Sequence, residues 1–384
     1  MKKNLKKLWH YPVVVLFFLL IFGYMFLDIL TPDKAKDEYQ NALLAQKPVF
    51  TLSSLLKNEY TVNYETYIKE QFAFRHEWIV LKSLIEEAQG KTENNGVVYG
   101  ADGYQFNKFV RIEKEEQLEN NTQALMAFSQ RHPGKVSAMI VPSASLVLKD
   151  KLPAGAPFVD EGAYLDKLYG QLAPSCTVYD LRALFSAHQE EYLYYRTDHH
   201  WTTHGAYLAY TQLIAENGKT PVDEPSLTAT DVPDFYGTNY SKSLRPFTQT
   251  DVITYYPPLD AEMTWYLPGG DGVYAPAKVT GLYDLSKLQE RDKYAMFLYS
   301  NNAFSRIAGR GEGRILIIKD SYANCFVPFL TENYAQIDVI DLRSYNGNID
   351  ELIDENRYDS ILALYNFQSF CSDTFLYRLN TGVS

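Results

Sequence analysis

The last seventy residues constrain this chain most, because apolar runs and amphipathic segments alternate there at lengths that admit few architectures. The pattern predicts a strand over 314–318, a helix over 323–332, a strand over 337–342, a helix over 349–355 and a strand over 360–364. Such alternation implies crossover connections and a parallel sheet. Parallel sheets bind ligands beyond the C-terminal ends of their strands. Three groups of polar residues fall on that edge: Ser321 after the first strand, Arg343 after the second, and Tyr365 with Asn366 after the third. An upstream strand over 136–141, if parallel, adds Ser143.

Histidine is scarce, seven in 384 residues, yet three fall between 199 and 204, in Asp198-His199-His200-Trp201 and His204. A serine hydroxyl is a weak nucleophile until an imidazole, oriented by a carboxylate, accepts its proton. The reading is therefore Ser321 as nucleophile, His200 as base and Asp198 as its carboxylate. Residues i and i+2 of an extended segment share a side, which leaves His199 projecting elsewhere. Ser321 sits where a strand turns into a helix, a place that exposes a nucleophile and points backbone amides at an oxyanion. Asn366, with Tyr365 beside it, Arg343, Tyr322 and His199 are the candidates for oxyanion or substrate contact.

Each of these residues has a plainer alternative. Asp320 and Ser321 together are a common helix cap, Arg343 suits a surface ion pair, and the histidines serve equally well under Trp201 as structure. Asp198, His199, His200 and His204 also supply ligand types that zinc or iron accepts, although no dedicated Cys or Glu ligand joins them. Ser143 and Ser145 are rival nucleophiles without the strand–turn–helix setting. Cys325 reads as a small buried residue. No metal and no dissociable cofactor are expected.

Lys2, Lys3, Lys6 and Lys7 precede an apolar stretch over 8–27 whose only ionisable side chains are His10, Tyr11 and Tyr24, while Asp28, Asp33, Asp37 and Glu38 follow it. About 20 apolar residues span a bilayer as a helix. The lysines place the N-terminus in the cytoplasm and the remaining residues outside. The rival is a cleaved signal peptide, but the apolar region exceeds an ordinary signal core and no small-x-small site follows it. Residues 31–60 read as a polar stem, and 61–384 as one catalytic domain.

With 46% hydrophobic residues, 31 Tyr and 21 Phe, the chain can bury a substantial core. A net charge of −11 argues against a nucleic-acid partner. The three cysteines, Cys176, Cys325 and Cys371, are too few and too far apart for a disulfide framework or a zinc ribbon. Further elements expected are a helix over 60–89 ending at Gly90, a hairpin over 95–104, a helix over 113–131, a helix over 162–172 with a strand over 176–181, and a helix capped by Thr202 or Thr203. Residues 220–300, rich in Pro, Gly, Tyr and Thr, read as a partly β, aromatic excursion from the core.

These motifs resemble the bacterial family named for its DHHW motif and, more broadly, the alginate O-acetyltransferases of the AlgJ and AlgX type, permuted relatives of SGNH hydrolases in which the Asp-x-His-Trp motif precedes the nucleophile. The likeness runs from about residue 50 to the C-terminus. Gln71-Phe72-Ala73-Phe74-Arg75 is similar to the family's D-Q-F-P-x-R segment, and Asn95-Gly96-Val97 through Asp102-Gly103 to its N-G-V-x-x-G-x-D-G segment. Val141-Pro142-Ser143, Phe235-Tyr236-Gly237-Thr238, Asp292-Lys293-Tyr294 and Lys319-Asp320-Ser321-Tyr322-Ala323-Asn324 also match. The resemblance implies an SGNH-like α/β fold, with Ser321 as nucleophile, His200 as base and Asp198 as partner. It implies an acyl-serine O-acyltransferase, acetyl being the expected group, acting on a cell-surface or secreted polysaccharide and working with a multispanning membrane acyltransferase. A carbohydrate esterase of the same fold and a non-catalytic glycan-binding scaffold are the alternatives. Lys319 stands where the broader group has Gly, and His199 where other members differ.

Overall fold

The computed structural model describes residues 11–40, 42–224, 227–256, 261–269 and 273–381. Lys2, Lys3, Lys6 and Lys7, on which the orientation across a membrane rests, lie outside the described residues, as does His10. The chain divides into two compact units, residues 1–90 with 244–246, and 91–243 with 247–384.

The first unit opens with α1 (Pro12–Leu30), a helix with no buried residue and with Pro12 in its first turn, where the missing N–H costs nothing. It is long and apolar enough to cross a membrane. Residues 31–60 are not featureless: they contain the short strand pair Lys36–Asp37 and Ala42–Leu43 and a capped helical turn at Leu52–Leu56. The single helix expected over 60–89 is two, α2 (Glu59–Gln71) and α3 (Arg75–Ala88). The break falls at Phe72-Ala73-Phe74, where Phe74 has a left-handed φ of 56° that no continuous helix tolerates.

The second unit is built on one eight-stranded sheet: β1 (Val136–Val141), β2 (Thr177–Val178), β3 (Met263–Pro268), β4 (Tyr274–Thr280), β5 (Phe304–Ala308), β6 (Arg314–Lys319), β7 (Gln336–Ile340) and β8 (Ser360–Asn366). In space the order is β4-β3-β5-β7-β6-β8-β1-β2. Strands β7, β6, β8, β1 and β2 are mutually parallel, while β5, β3 and β4 extend the sheet antiparallel. The α/β class expected from the C-terminal alternation is the class found. The strand anticipated over 176–181 shrinks to two residues.

Both faces of the sheet are buried, which is why its central strands are continuous apolar runs rather than alternating ones. Ile315 and Ile317 of β6, Leu362 and Leu364 of β8, and Met139 and Val141 of β1 join one core. Leu316 and Ile318, Ile361, Ala363 and Tyr365, and Ala138 and Ile140 join the other, under α4 (Glu115–Arg131), α5 (Glu161–Leu172) and α7 (Ile349–Asn356). The first core also takes in α6 (Thr203–Glu216), whose N-cap is Thr202, its hydroxyl accepting from the Gly205 N–H at 3.1 Å.

Two sequence expectations change character. The helix anticipated over 323–332 is a pair of 3₁₀ segments, Ser321–Cys325 and Val327–Glu332, since Pro328 lacks the N–H that a continuous α-helix needs. The excursion over 220–300 does not leave the core: β3 and β4 extend the main sheet, and Thr230–Phe235 pairs with Asp251–Tyr255.

Candidate active site

Ser321 follows β6 directly, and the cap of its 3₁₀ segment is Asp320 rather than Ser321 itself. The Asp320 carboxylate accepts the Tyr322 N–H at 2.9 Å and, through its other oxygen, the Asn366 N–H at 2.8 Å from the end of neighbouring β8. This ties two adjacent strand ends together. With capping assigned to Asp320, the Ser321 hydroxyl is left for another partner, and its Oγ lies 2.7 Å from His200 Nε2.

On the other side of that ring, His200 Nδ1 is 2.6 Å from Asp198 Oδ1, which also accepts the His200 backbone N–H at 2.9 Å. Asp198 Oδ2 accepts the Thr238 N–H at 2.7 Å. Burial would raise the Asp198 carboxyl, but the two imidazoles and these hydrogen bonds outweigh it and hold the group well below the usual carboxylate range. An ionised Asp198 fixes the tautomer with the proton on Nδ1, leaving Nε2 to accept from the serine.

Trp201 closes the assembly. Its Nε1 donates to the Tyr322 carbonyl at 2.9 Å, and the Tyr322 hydroxyl donates back to the His199 carbonyl. The DHHW segment and the segment after β6 are thus pinned to each other at three points, though 121 residues separate His200 from Ser321.

His199 does not project away from the relay, as alternation along an extended segment would have it. Its ring lies 3.9 Å, centroid to centroid, from that of His200, and its Nδ1 is 2.7 Å from Thr238 Oγ1. The chain folds back here, with Tyr194 bridging Trp201, so successive side chains need not alternate. Desolvation in this packed corner, together with the neighbouring His200, keeps the His199 imidazole below its usual range and hence neutral at pH 7.

Asp198, His199 and Tyr322 also line a cleft that takes in Ser143, Ser145, Asn366, Asn239 and Gln105. Asn366 reaches it with an amide that contacts the Val141 carbonyl at 3.3 Å and caps α8 (Phe367–Ser372). Ser143 is held through its N–H by Glu161 at 2.7 Å, and among the described residues no histidine hydrogen-bonds to its hydroxyl as His200 does to that of Ser321.

Tyr365 and Arg343 are not brought to this cleft. Tyr365 is one residue out of phase with Asn366, so strand alternation puts its side chain in the opposite core, against Phe370. Arg343 is taken by Asp341, to which it donates through Nε at 2.8 Å and Nη2 at 2.5 Å. Lys319 is buried, with its Nζ 2.8 Å from Asn301 Oδ1 and 3.7 Å from Asp341; burial pulls its pKa down to about 8.

The ligand atoms of Asp198, His199 and His200 lie within 4.8 Å of one another. Both Asp198 oxygens, His199 Nδ1 and both nitrogens of His200 already have protein partners, and the arrangement fits a proton relay better than a cation site. His204 is directed away, between Glu191 at 2.5 Å and Glu224 at 3.2 Å.

Two contributors went unassigned in the sequence, although both stand in motifs singled out there. Tyr294 stacks on the His200 ring at 3.9 Å with planes 13° apart, and its hydroxyl donates to the Ser321 carbonyl at 3.1 Å. Gly237 passes so close to Asp198 that it leaves no room for a side chain. Their distance from the DHHW segment in sequence hid both.

The fold and site define an α/β domain with a serine–histidine–aspartate relay at the C-terminal edge of a largely parallel sheet. The chain belongs to the DHHW family, whose sequence profile matches residues 84–340. A crystallised DHHW family protein from Eubacterium siraeum superposes with a TM-score of 0.63 at 23% identity, over 75% of this chain and 96% of that one. Bacillus cereus PatB1, solved with a sulfonyl adduct, superposes with a TM-score of 0.58 at 19% identity, over 73% and 96%. The O-acetyltransferase domain of Pseudomonas putida AlgJ gives a TM-score of 0.43 at 14% identity, over 72% and 93%. No curated protein sequence matches the chain.

Proposed function

We propose that this protein is a membrane-anchored, extracytoplasmic O-acyltransferase that carries an acyl group, acetyl by expectation, on Ser321 and passes it to hydroxyls of a cell-surface or secreted polysaccharide. The observation that carries the reading is the unbroken relay from Asp198 through His200 to the Ser321 hydroxyl, with contacts of 2.6 and 2.7 Å. In the first half-reaction Ser321 Oγ attacks the donor's ester carbonyl while its proton passes to His200 Nε2. Collapse of the tetrahedral intermediate returns that proton to the leaving group and leaves acyl-Ser321. In the second, His200 accepts the proton of a sugar hydroxyl that attacks the acyl carbon, and Ser321 is released.

The polysaccharide acceptor and a multispanning membrane acyltransferase as donor partner belong to the same proposal. An apolar α1 able to cross a membrane supports single-pass anchoring. The test is to incubate the purified chain with a chromogenic acetyl ester, with and without oligosaccharides, and to identify products by mass spectrometry. Acetylated oligosaccharide supports transfer; release of acetate alone in every case assigns an esterase. The sulfonyl adduct of PatB1 recommends a sulfonyl fluoride as the accompanying probe. It should label this chain at Ser321 and fail on Ser321→Ala. An unchanged reaction of Ser321→Ala with ester and probe overturns the enzymatic reading.

A further inference from the structure

Within the first unit, α1 is not a free-standing rod. Tyr24, six residues before the end of that helix and so about 9 Å down its axis, has a hydroxyl that donates to the Ala73 carbonyl and accepts from Trp78 Nε1 at 3.0 Å. Its ring meets Phe72 at 4.8 Å and Trp78 at 6.0 Å. One turn further on, Asp28 accepts the Ala73 N–H at 2.9 Å. The break between α2 and α3 is therefore fastened to α1 at a level where α1 is still apolar.

From that anchorage α3 carries Trp78, Leu81 and Ile85 at steps of three and four residues, which places them in one row along a helix face. All three are exposed, Trp78 and Ile85 at 48% and Leu81 at 43%. A soluble helix turns such a row inward, and a contiguous apolar strip of this kind in water marks a contact surface. The aromatic residue of the row, Trp78, stands at the end nearest Tyr24, and Trp and Tyr gather where hydrocarbon gives way to headgroups.

We infer that this row of α3 rests on the phospholipid bilayer, its apolar face at the boundary between headgroups and acyl chains, so that the unit is held by an interfacial helix as well as by α1. The occupant is lipid because the row is continuous with the apolar surface of α1 through Tyr24, Phe72 and Trp78. Glu77 and Lys82 beside the row supply the charged rim that an interfacial helix presents to headgroups. The inference rests on the proposal that α1 spans the membrane.

The test uses the full chain with Cys176→Ser, reconstituted in phosphatidylcholine–phosphatidylglycerol vesicles, with nitroxides placed singly at Leu81→Cys, Ile85→Cys and Leu19→Cys. Cys325 and Cys371 are buried. Collision with oxygen, which partitions into lipid, is compared with collision with a water-soluble nickel complex. The expected result is a lipid-type ratio at Leu19, Leu81 and Ile85. A water-type ratio at Leu81 and Ile85 with Leu19 in lipid overturns the interfacial helix alone. Shielding of Leu81 and Ile85 from both probes assigns the row to a second copy of the chain and also overturns it. A water-type ratio at Leu19 removes the membrane span and this inference with it.

Discussion

A Cβ on Gly237 would lie 2.2 Å from the Asp198 Cβ and 2.4 Å from Asp198 Oδ2, while the next residue, Thr238, donates its N–H to that same oxygen at 2.7 Å. The carboxylate that orients His200 is thus seated by backbone that only glycine lets approach. Gly237→Ala must push Asp198 or its own loop aside by about an ångström, a displacement that costs about 10²-fold in catalysis. The expected outcome is that drop in kcat/KM on the chromogenic ester with an unchanged circular dichroism spectrum.

Tyr294 touches both ends of the proton transfer, the His200 ring by stacking and Ser321 through its carbonyl. Tyr294→Phe keeps the ring and gives up one hydrogen bond worth about 1 kcal/mol, so kcat should fall by less than about tenfold. Tyr294→Leu also gives up the stack, worth about 0.5–1.5 kcal/mol more. Steady-state kinetics should rank wild type above Tyr294→Phe above Tyr294→Leu in kcat, with KM little moved.

Glu161 is buried, with the Ser143 N–H as its hydrogen-bond donor, and burial lifts its pKa from 4.5 to about 7. Between those values the folded protein holds a proton that the unfolded chain has released, so this group's contribution to stability falls as pH rises from about 4.5 to 7. Glu161→Gln keeps an acceptor for Ser143 and removes the charge. At pH 8 it should stabilise by up to about 3 kcal/mol, seen as a higher urea midpoint, with the advantage gone at pH 4.5.

Lys319 works in the other direction. Burial lowers its pKa from 10.5 to about 8, so in that interval the unfolded chain binds the extra proton and stability rises with pH. Urea midpoints should climb between about pH 8 and 10.5 in the wild type and lose that component in Lys319→Met.

What the sequence made legible follows from the range of the interactions involved. Strand β1 was read to the residue and β6 to within one residue, because a parallel sheet buried on both faces writes itself as an uninterrupted apolar run. Asp198, His200 and Ser321 were legible from their chemistry, since each is scarce or well placed. Tyr365 was misplaced because a single step along β8 switches faces, and the end of a strand does not reveal which of two adjacent residues faces the site. The helix over 60–89 was read through Phe74 because periodicity survives a left-handed residue that alters direction alone. Gly237 and Tyr294 lie 37 and 94 residues from His200 by chain number, and their roles arise from packing that no local pattern encodes.

The hydroxyl at the end of β6 and the imidazole before α6 are joined through Trp201 and Tyr322 and through strands contributed by nearly the whole second unit. A nascent or partly unfolded copy therefore carries a serine no more reactive than free alcohol. The contact between hydroxyl and imidazole exists only in the completed domain, since 121 residues of chain must be in place before the two side chains meet.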